Sequence, residues 1–349
     1  MLKTALCEQL GIEHPIFCAG MGPATTPELA AAVSNAGGCG VIGGGGAGPE
    51  YVHEMIRQAR QLTDKPFGIN IILGDEEEEV DPEDDPVQAA IDDRVPILVF
   101  FWGNPQAYVE KAHRTGVKVF MQVGSVEEAK RCAAAGVDAI IAQGTEAGGH
   151  VRGTTALSVL VPAVVEAVRP LPVIASGGIA DGRGLTAALA LGAQGVSLGT
   201  RFVCSQEFST PQRYKETVVA STAEDTIYLT DLFDVGWPNA PHRVIRNRVV
   251  REWEAAGRPP SGQRPGEGTV LGTRTLLGQT RDVLKYQATV ALRDFQGDLD
   301  SIAFWAGQSC SLVHDIRPAG DIVSEIVREA EEVIEGLHRT IKAAVAATT

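Results

Sequence analysis

The segment Gly144-Thr-Glu-Ala-Gly-Gly-His150 sets one imidazole beside three glycines and one carboxylate. Histidine changes charge near neutral pH, so His150 suits proton transfer or anion holding. Glycine leaves main-chain N–H groups bare and lets a ligand approach closely, which makes Gly144, Gly148 and Gly149 candidates for ligand contact. The plain alternative is a tight strand-to-helix turn with a surface histidine. The rest of the chain weighs against that alternative.

Two further glycine clusters lie downstream, "ASGGIADGRG" (175–184) and "GVSLGTRF" (195–202). Each ends an apolar run and precedes a helix-like pattern. Main-chain donors at such a place hold phosphate. Ser176, Gly177, Gly178, Gly199 and Thr200 are the natural donors, and tight strand–helix packing is the alternative reading. Amides end other apolar runs: Asn70, Gln122 and Gln143, with Gly20, Met21 and Gly22 after the first run. Amides at successive strand ends suit a neutral heterocycle with mixed donors and acceptors, such as an isoalloxazine ring. For Asn70 and Gln122, a satisfied buried amide stays open. Trp102 and Trp305 either wall a pocket or fill core. Glu146 either orients its neighbours or is an exposed turn acid.

Eight short apolar runs position these groups: 15–20, 38–43, 67–73, 97–102, 117–122, 138–143, 172–178 and 195–200. They are continuous rather than alternating, as in strands buried on both faces of a parallel sheet. Helical patterns such as 26–37, 125–136 and 182–193 lie between them and end at glycine. Eight such units predict an α/β fold, a (β/α)8 TIM barrel, in which phosphate commonly sits at the loops after the seventh and eighth strands. A doubly wound open sheet is the alternative. The repeat stops after "GTRF". Residues 1–210 and 286–349 are expected to form the barrel, with 319–347 a long helix closing its wall. Residues 211–285 are expected to be a small, mostly helical cap inserted after strand 8. The run "DEEEEVDPEDD" (75–85) carries nine carboxylates and no aromatic ring, and reads as a solvated loop. Its spacing does not match a calcium loop.

The bulk numbers exclude some function classes. The chain has 349 residues, a net charge of −14 and a sequence pI near 5.0. No basic stripe offers itself to nucleic acid. No apolar stretch is long enough to span a bilayer, and the first fifteen residues lack a secretory apolar region. A cytoplasmic protein is expected. Cys7, Cys18, Cys39, Cys132, Cys204 and Cys310 form no C-x-x-C pair, so no metal site is expected and the thiols read as small core residues.

The motifs "PIFCAGMG", "FGIN", "MQVGS", "GVDAIIAQGTEAGGH", "ASGGIADGRG", "GAQGVSLGTRF" and "WAGQS" resemble, in order and spacing, those of the nitronate monooxygenase family. The resemblance covers most of residues 10–210 and returns near 305–309. It implies a TIM barrel that binds FMN without a covalent link. It places the flavin phosphate after strands seven and eight, brings in Gln308 as a cofactor contact, and puts the family's catalytic histidine on His150. The implied reaction is oxidation of alkyl nitronates, or nitroalkanes, by O2 to a carbonyl compound and nitrite. The implied partners are that small substrate and O2; the sequence leaves the oligomeric state open, a homodimer being one assembly. FMN-dependent enoyl-acyl-carrier-protein reductases and NADH:quinone reductases share the Gly-Gly-His segment. An NAD(P)H-dependent reductase of an enoyl thioester or quinone is therefore the alternative. "LVFFWGNP" (98–105) and "HVRG" (150–153) look more like the nitronate oxidisers, and the acidic balance suits an acidic carrier protein poorly.

Overall fold

The computed structural model describes residues 2–44, 48–74, 85–276 and 278–348. Eight parallel strands close into a barrel: β1 Ile16–Cys18, β2 Cys39–Gly43, β3 Gly68–Ile72, β4 Ile97–Phe101, β5 Lys118–Val123, β6 Ala139–Gln143, β7 Val173–Ser176 and β8 Gly195–Leu198. Each coincides with one of the eight apolar runs. Closure is by β8 on β1, with Ile16 opposite Val196 and Cys18 opposite Leu198. A doubly wound sheet would keep two open edges, and this ring has none.

The apolar runs are continuous because both strand faces are buried. One face fills the barrel: Phe17, Val41, Ile97, Val99, Phe120, Ile141 and Ile174 share one cluster. Phe17 and Phe120 meet edge to face there, 6.1 Å between ring centroids. Their neighbours Ile16, Ile42, Leu98, Phe100, Val119 and Ile140 pack outward against the helices. Leu6, Cys7 and Ile12 join the inner cluster beside Cys39, Ile97 and Ala139, which start their strands. The helix Ala5–Leu10 thus stops the amino-terminal end. Two residues further along the inward rows, side chains turn polar: Asn70 after Gly68, Gln122 after Phe120, Gln143 after Ile141, Ser176 after Ile174 and Ser197 after Gly195. Side-chain period two makes that switch the floor of a cavity at the carboxyl ends of the strands.

Local capping sets the intervening helices. Ser125 Oγ accepts from Glu128 N at 3.2 Å to start Val126–Ala134, and the Asp181 carboxylate accepts from Gly184 N at 2.9 Å to start Gly182–Ala190. The last helix, Ala319–Thr348, packs on Gly182–Ala190 and on Pro27–Asn35, and so closes the wall between the last unit and the first. Gly182 permits the close approach, since a Cβ there would lie 2.2 Å from Ala330 N.

Helices Gln212–Val219 and Arg248–Ala255 supply helical parts of the segment after β8. The segment also holds strands that the sequence reading did not assign. Thr226–Leu229 pairs with His242–Ile245, which also pairs with Phe304–Trp305 and with Gly149–His150. Val270–Leu276 forms a hairpin with Gln279–Leu284 and also pairs with Gln296–Gly297. Residues 75–84 of the acidic run lie outside the described residues. Asp85 departs from the expected solvated loop. It is buried, and its carboxylate accepts from Val87 N at 2.8 Å to cap the helix Pro86–Asp92. All six cysteines are free and buried. Among the described residues no cluster of three metal-ligating side chains occurs, and no helix is long and apolar enough to cross a membrane.

Candidate active site

A cavity of about 640 Å³ opens at the carboxyl ends of the strands and is roofed by the segment after β8. Gly20, Met21, Gly22, Asn70, Gln122, Gln143, Gly148, Gly149, His150, Ser176, Gly177, Gly178, Gly199 and Thr200 all line it. Gly144 and Gln308 do not. Gly144 faces its own loop: a Cβ there would lie 2.4 Å from Glu146 Oε2 and 2.7 Å from Leu157 Cβ. The Gln308 main-chain N–H donates to Glu146 O at 2.9 Å, so Gln308 braces the loop, and its neighbour Ser309 lines the cavity.

Close backbone packing holds the loop 144–150. A Cβ on Gly148 would fall 2.2 Å from Gly307 N, and one on Gly307 would fall 2.6 Å from Glu146 O. Only glycine at both positions lets the two segments touch. Gly149 has φ of +71°, the left-handed region, with open space around it. The Glu146 carboxylate accepts from Leu157 N at 3.1 Å, at the start of the helix Leu157–Val168. Its work is to anchor that helix. Gln143 Nε2 donates to His150 O at 2.9 Å, and its Oε1 accepts from Arg152 N at 3.4 Å. Gln143 therefore fixes the strand that carries His150.

Aromatic rings surround His150. Trp237 stacks on it at 4.0 Å between centroids with a 37° tilt, and Trp305 lies at 5.2 Å with a 30° tilt. Trp305 and Trp237 line the cavity. Trp305 is held by its Nε1, which donates to Thr289 O at 2.7 Å. Trp102 stands behind, edge-on at 6.4 Å, buried and outside the lining. Its φ of +67° is a strained value for a bulky residue, tolerated only where the surroundings fix it. Burial, helped by the neighbouring His242, pushes the His150 imidazole down to about 3, so it is neutral in the neutral pH range. Its Nε2 is buried with no hydrogen-bond partner.

The loops after β7 and β8 line the cavity beside the loop 144–150, a Cβ on Gly177 falling 3.1 Å from Ala147 N. Gly177 and Gly178 have φ of +103° and +71°, a conformation that few other residues adopt. A Cβ on Gly199 would meet only Met21 Sδ, at 3.5 Å. Thr200 Oγ1 accepts from Gly307 N at 2.9 Å and keeps its own proton to donate. Asn70 is satisfied on one side, its Nδ2 donating to Val99 O at 3.0 Å, and it also lines the cavity.

A family model described as nitronate monooxygenase matches residues 3–329. The chain belongs to the nitronate monooxygenase family. It is an oxidoreductase of that kind. A curated relative from Rhodococcus jostii RHA1, (3aS,4S,5R,7aS)-5-hydroxy-7a-methyl-1-oxo-octahydro-1H-indene-4-carboxyl-CoA dehydrogenase, is 35% identical over 84% of this chain and 75% of its own length. The structure of FabK from Thermotoga maritima matches with a TM-score of 0.78 at 37% identity, covering 97% of this chain and 100% of that one. Nitroalkane oxidase from Streptomyces ansochromogenes matches with a TM-score of 0.76 at 28% identity, covering 95% and 100%.

Several cavity residues of this nitronate monooxygenase family member were not singled out from the sequence: Ser197, Trp237, Arg274, Gln287, Thr289 and Ser309. Ser197 carried a signal, since it continues the inward row of β8. Trp237 carried a weaker one, an aromatic ring in the turn-forming stretch "GWPN". Arg274, Gln287 and Thr289 carried none, because strand pairings far apart in sequence bring them to the roof.

Proposed function

We propose that the chain binds FMN in this cavity and oxidises alkyl nitronates with O2 to a carbonyl compound and nitrite. The observation that carries the reading is His150: a neutral imidazole with an unpartnered nitrogen, wedged between two indoles in the wall of a cavity floored by amides.

The residues present fit FMN. Backbone N–H groups of Gly177, Gly178, Gly199 and Thr200 would hold the phosphate, with the Thr200 and Ser176 hydroxyls beside them. Gln122, Asn70 and the Gly20–Gly22 turn would meet the ring. The flavin, when bound, supplies electron acceptance and the reaction with oxygen. The protein supplies the rest. A nitronate already carries its negative charge, so His150 need only hold it. A neutral nitroalkane must first lose an α-proton, and His150 is the base within the cavity to take it. The proton would then sit on the imidazole beside the nitronate it released, and that pairing offsets the cost of a buried imidazolium. The imidazole already accepts one flat π-group, Trp237, against its face. The apolar walls of Ile72, Phe101, Trp237 and Trp305 suit an alkyl chain and exclude water. In this reading residues 1–210 and 286–349 carry the cofactor and 211–285 cover it, with strands 296–297 and 304–305 paired onto the cover.

Release of FMN on denaturation, together with stoichiometric nitrite and O2 uptake on a nitronate, tests the reading. The second reading, NAD(P)H-dependent reduction of an enoyl thioester or quinone, is favoured by one observation: the match to FabK is at 37% identity, against 28% for nitroalkane oxidase.

A further inference from the structure

Arg274 is out of place by ordinary rules. It sits on the hairpin Val270–Leu276/Gln279–Leu284 and lines the cavity with Leu276. It is half-buried, yet among the described residues it makes no hydrogen bond, no ion pair and no stacking contact with an aromatic ring. Directly opposite in register stands Arg281, a second positive charge. Like charges across a strand pair destabilise the hairpin. The nearby carboxylate, Asp294, accepts from Thr275 N at 2.9 Å and acts on Arg274 through its charge, with no hydrogen bond to it. Burial, and then Arg281, disfavour the charged guanidinium; Asp294 favours it, but less, and the balance is unfavourable. A half-buried cation with no hydrogen-bonding partner among the described residues costs stability.

A second, independent observation lies in the lining of the same cavity. Thr289 is 7% exposed and lines the cavity, and its Oγ1 has no partner. Buried hydroxyls are rarely left so. Gln287, two residues before it, also lines the cavity. The phosphate cradle at Gly177, Gly178, Gly199 and Thr200 belongs to strands β7 and β8, so these roof residues are surplus to it. Nor is Arg274 among the side chains around the His150 ring, which are Trp237 and Trp305 tilted against it and Trp102 and His242 edge-on.

We propose that Arg274 and Thr289 form a specificity subsite for an oxyanion carried by the substrate away from its reacting carbon. A guanidinium and a hydroxyl together recognise a carboxylate or a phosphate by charge-assisted hydrogen bonds. The proposal deepens the functional reading above by naming a substrate class, and it rests on that reading only for where the reaction occurs.

Binding tests it without turnover. The FMN-loaded enzyme is titrated with 3-nitropropionate, with 1-nitropropane and with coenzyme A, following the fluorescence of the cavity indoles. The wild type should prefer one of the anions, and Arg274→Gln should reduce that anion's affinity about tenfold or more relative to 1-nitropropane. Arg274→Lys should recover part of it. Thr289→Val breaks no internal hydrogen bond and should cost about fivefold. Arg281→Gln, outside the lining, should leave the ratio within about twofold. Selective loss of 3-nitropropionate identifies a carboxylate, and selective loss of coenzyme A identifies a phosphate. Equal weakening of both nitro compounds would put Arg274 on the nitro group and overturn the proposal. So would anion affinities that do not change in Arg274→Gln, or that fall as much in Arg281→Gln. If no nitronate is turned over, the oxidase reading fails while these affinities still decide the subsite.

Discussion

His150 and His242 face each other in register across an antiparallel pair of short strands, their ring centroids 5.9 Å apart. The two imidazoles are satisfied very differently. His242 Nδ1 bonds Ala240 O at 2.9 Å, and its Nε2 accepts from Phe233 N at 3.3 Å, which fixes it as a neutral tautomer. His150 Nε2 has no partner. His242 is thus a structural wall, and His150 is the imidazole with capacity to spare.

The pH dependence follows from that pair. The folded chain holds His150 down at about 3, against an ordinary value near 6.5. Between those values the unfolded state binds a proton that the folded state does not, so stability falls as pH drops below about 6.5. His150→Gln should flatten that part of the acid loss in a pH series of thermal melts. In kcat/KM, His150 should give no limb between about pH 5 and 8. Trp237→Ala admits water to the imidazole, so it should move a limb up toward about 6.5. A wild-type limb at that pH assigned to His150 would contradict its burial.

His150→Ala should keep FMN, because the proposed phosphate donors lie on other loops. Turnover should fall about 10²–10⁴-fold with a neutral nitroalkane. The loss should be smaller with preformed nitronate, which needs no base. Equal losses on both substrates would leave His150 as an anion holder. Unchanged rates on both would remove it from the reaction.

Gly148→Ala places a methyl group where Gly307 N stands, 2.2 Å away, and the neighbour is backbone. The loop 144–150 must then part from 306–308. A stability loss of about 1–3 kcal/mol, visible as a lowered Tm, is expected, together with weakened FMN retention. Gly199→Val acts differently. Its Cβ meets only Met21 Sδ at 3.5 Å, so the fold should survive while the branched side chain crowds the anion end. An FMN content equal to wild type in Gly199→Val would move the phosphate elsewhere.

Asp85→Ala removes the helix cap on Val87 N and should cost about 1 kcal/mol in denaturant unfolding. Asp85→Asn, which keeps an acceptor, should restore most of it. No difference between the two variants would show that the cap contributes nothing.

The barrel was legible because its strands are buried on both faces, so continuous apolar runs mark them directly. The cavity floor was legible for a related reason: Asn70, Gln122, Gln143 and Ser176 interrupt inward rows that are otherwise apolar. Gln143 shows the limit of such reading. It lines the cavity, yet both ends of its amide are spent on the backbone of residues 150–152. Gly144 and Gln308 lie outside the cavity lining for a like reason, since a motif shows proximity to a site and not which way each residue faces. The roof was the least legible part. Strand Gly149–His150 finds its partner at His242–Arg243, over ninety residues away, and no local pattern encodes that pairing. The acid run hid a similar lesson at its last residue, where Asp85 is a buried cap.

The proposed electron donor is a nitronate and not a reduced nicotinamide. An anaerobic titration of the FMN-loaded protein with propionate 3-nitronate and, separately, with NADH tests it most directly, following flavin absorbance. The nitronate should bleach the flavin stoichiometrically and within the time of turnover, while NADH should leave it oxidised. Rapid bleaching by NADH with no response to the nitronate would contradict it and make the chain a reductase.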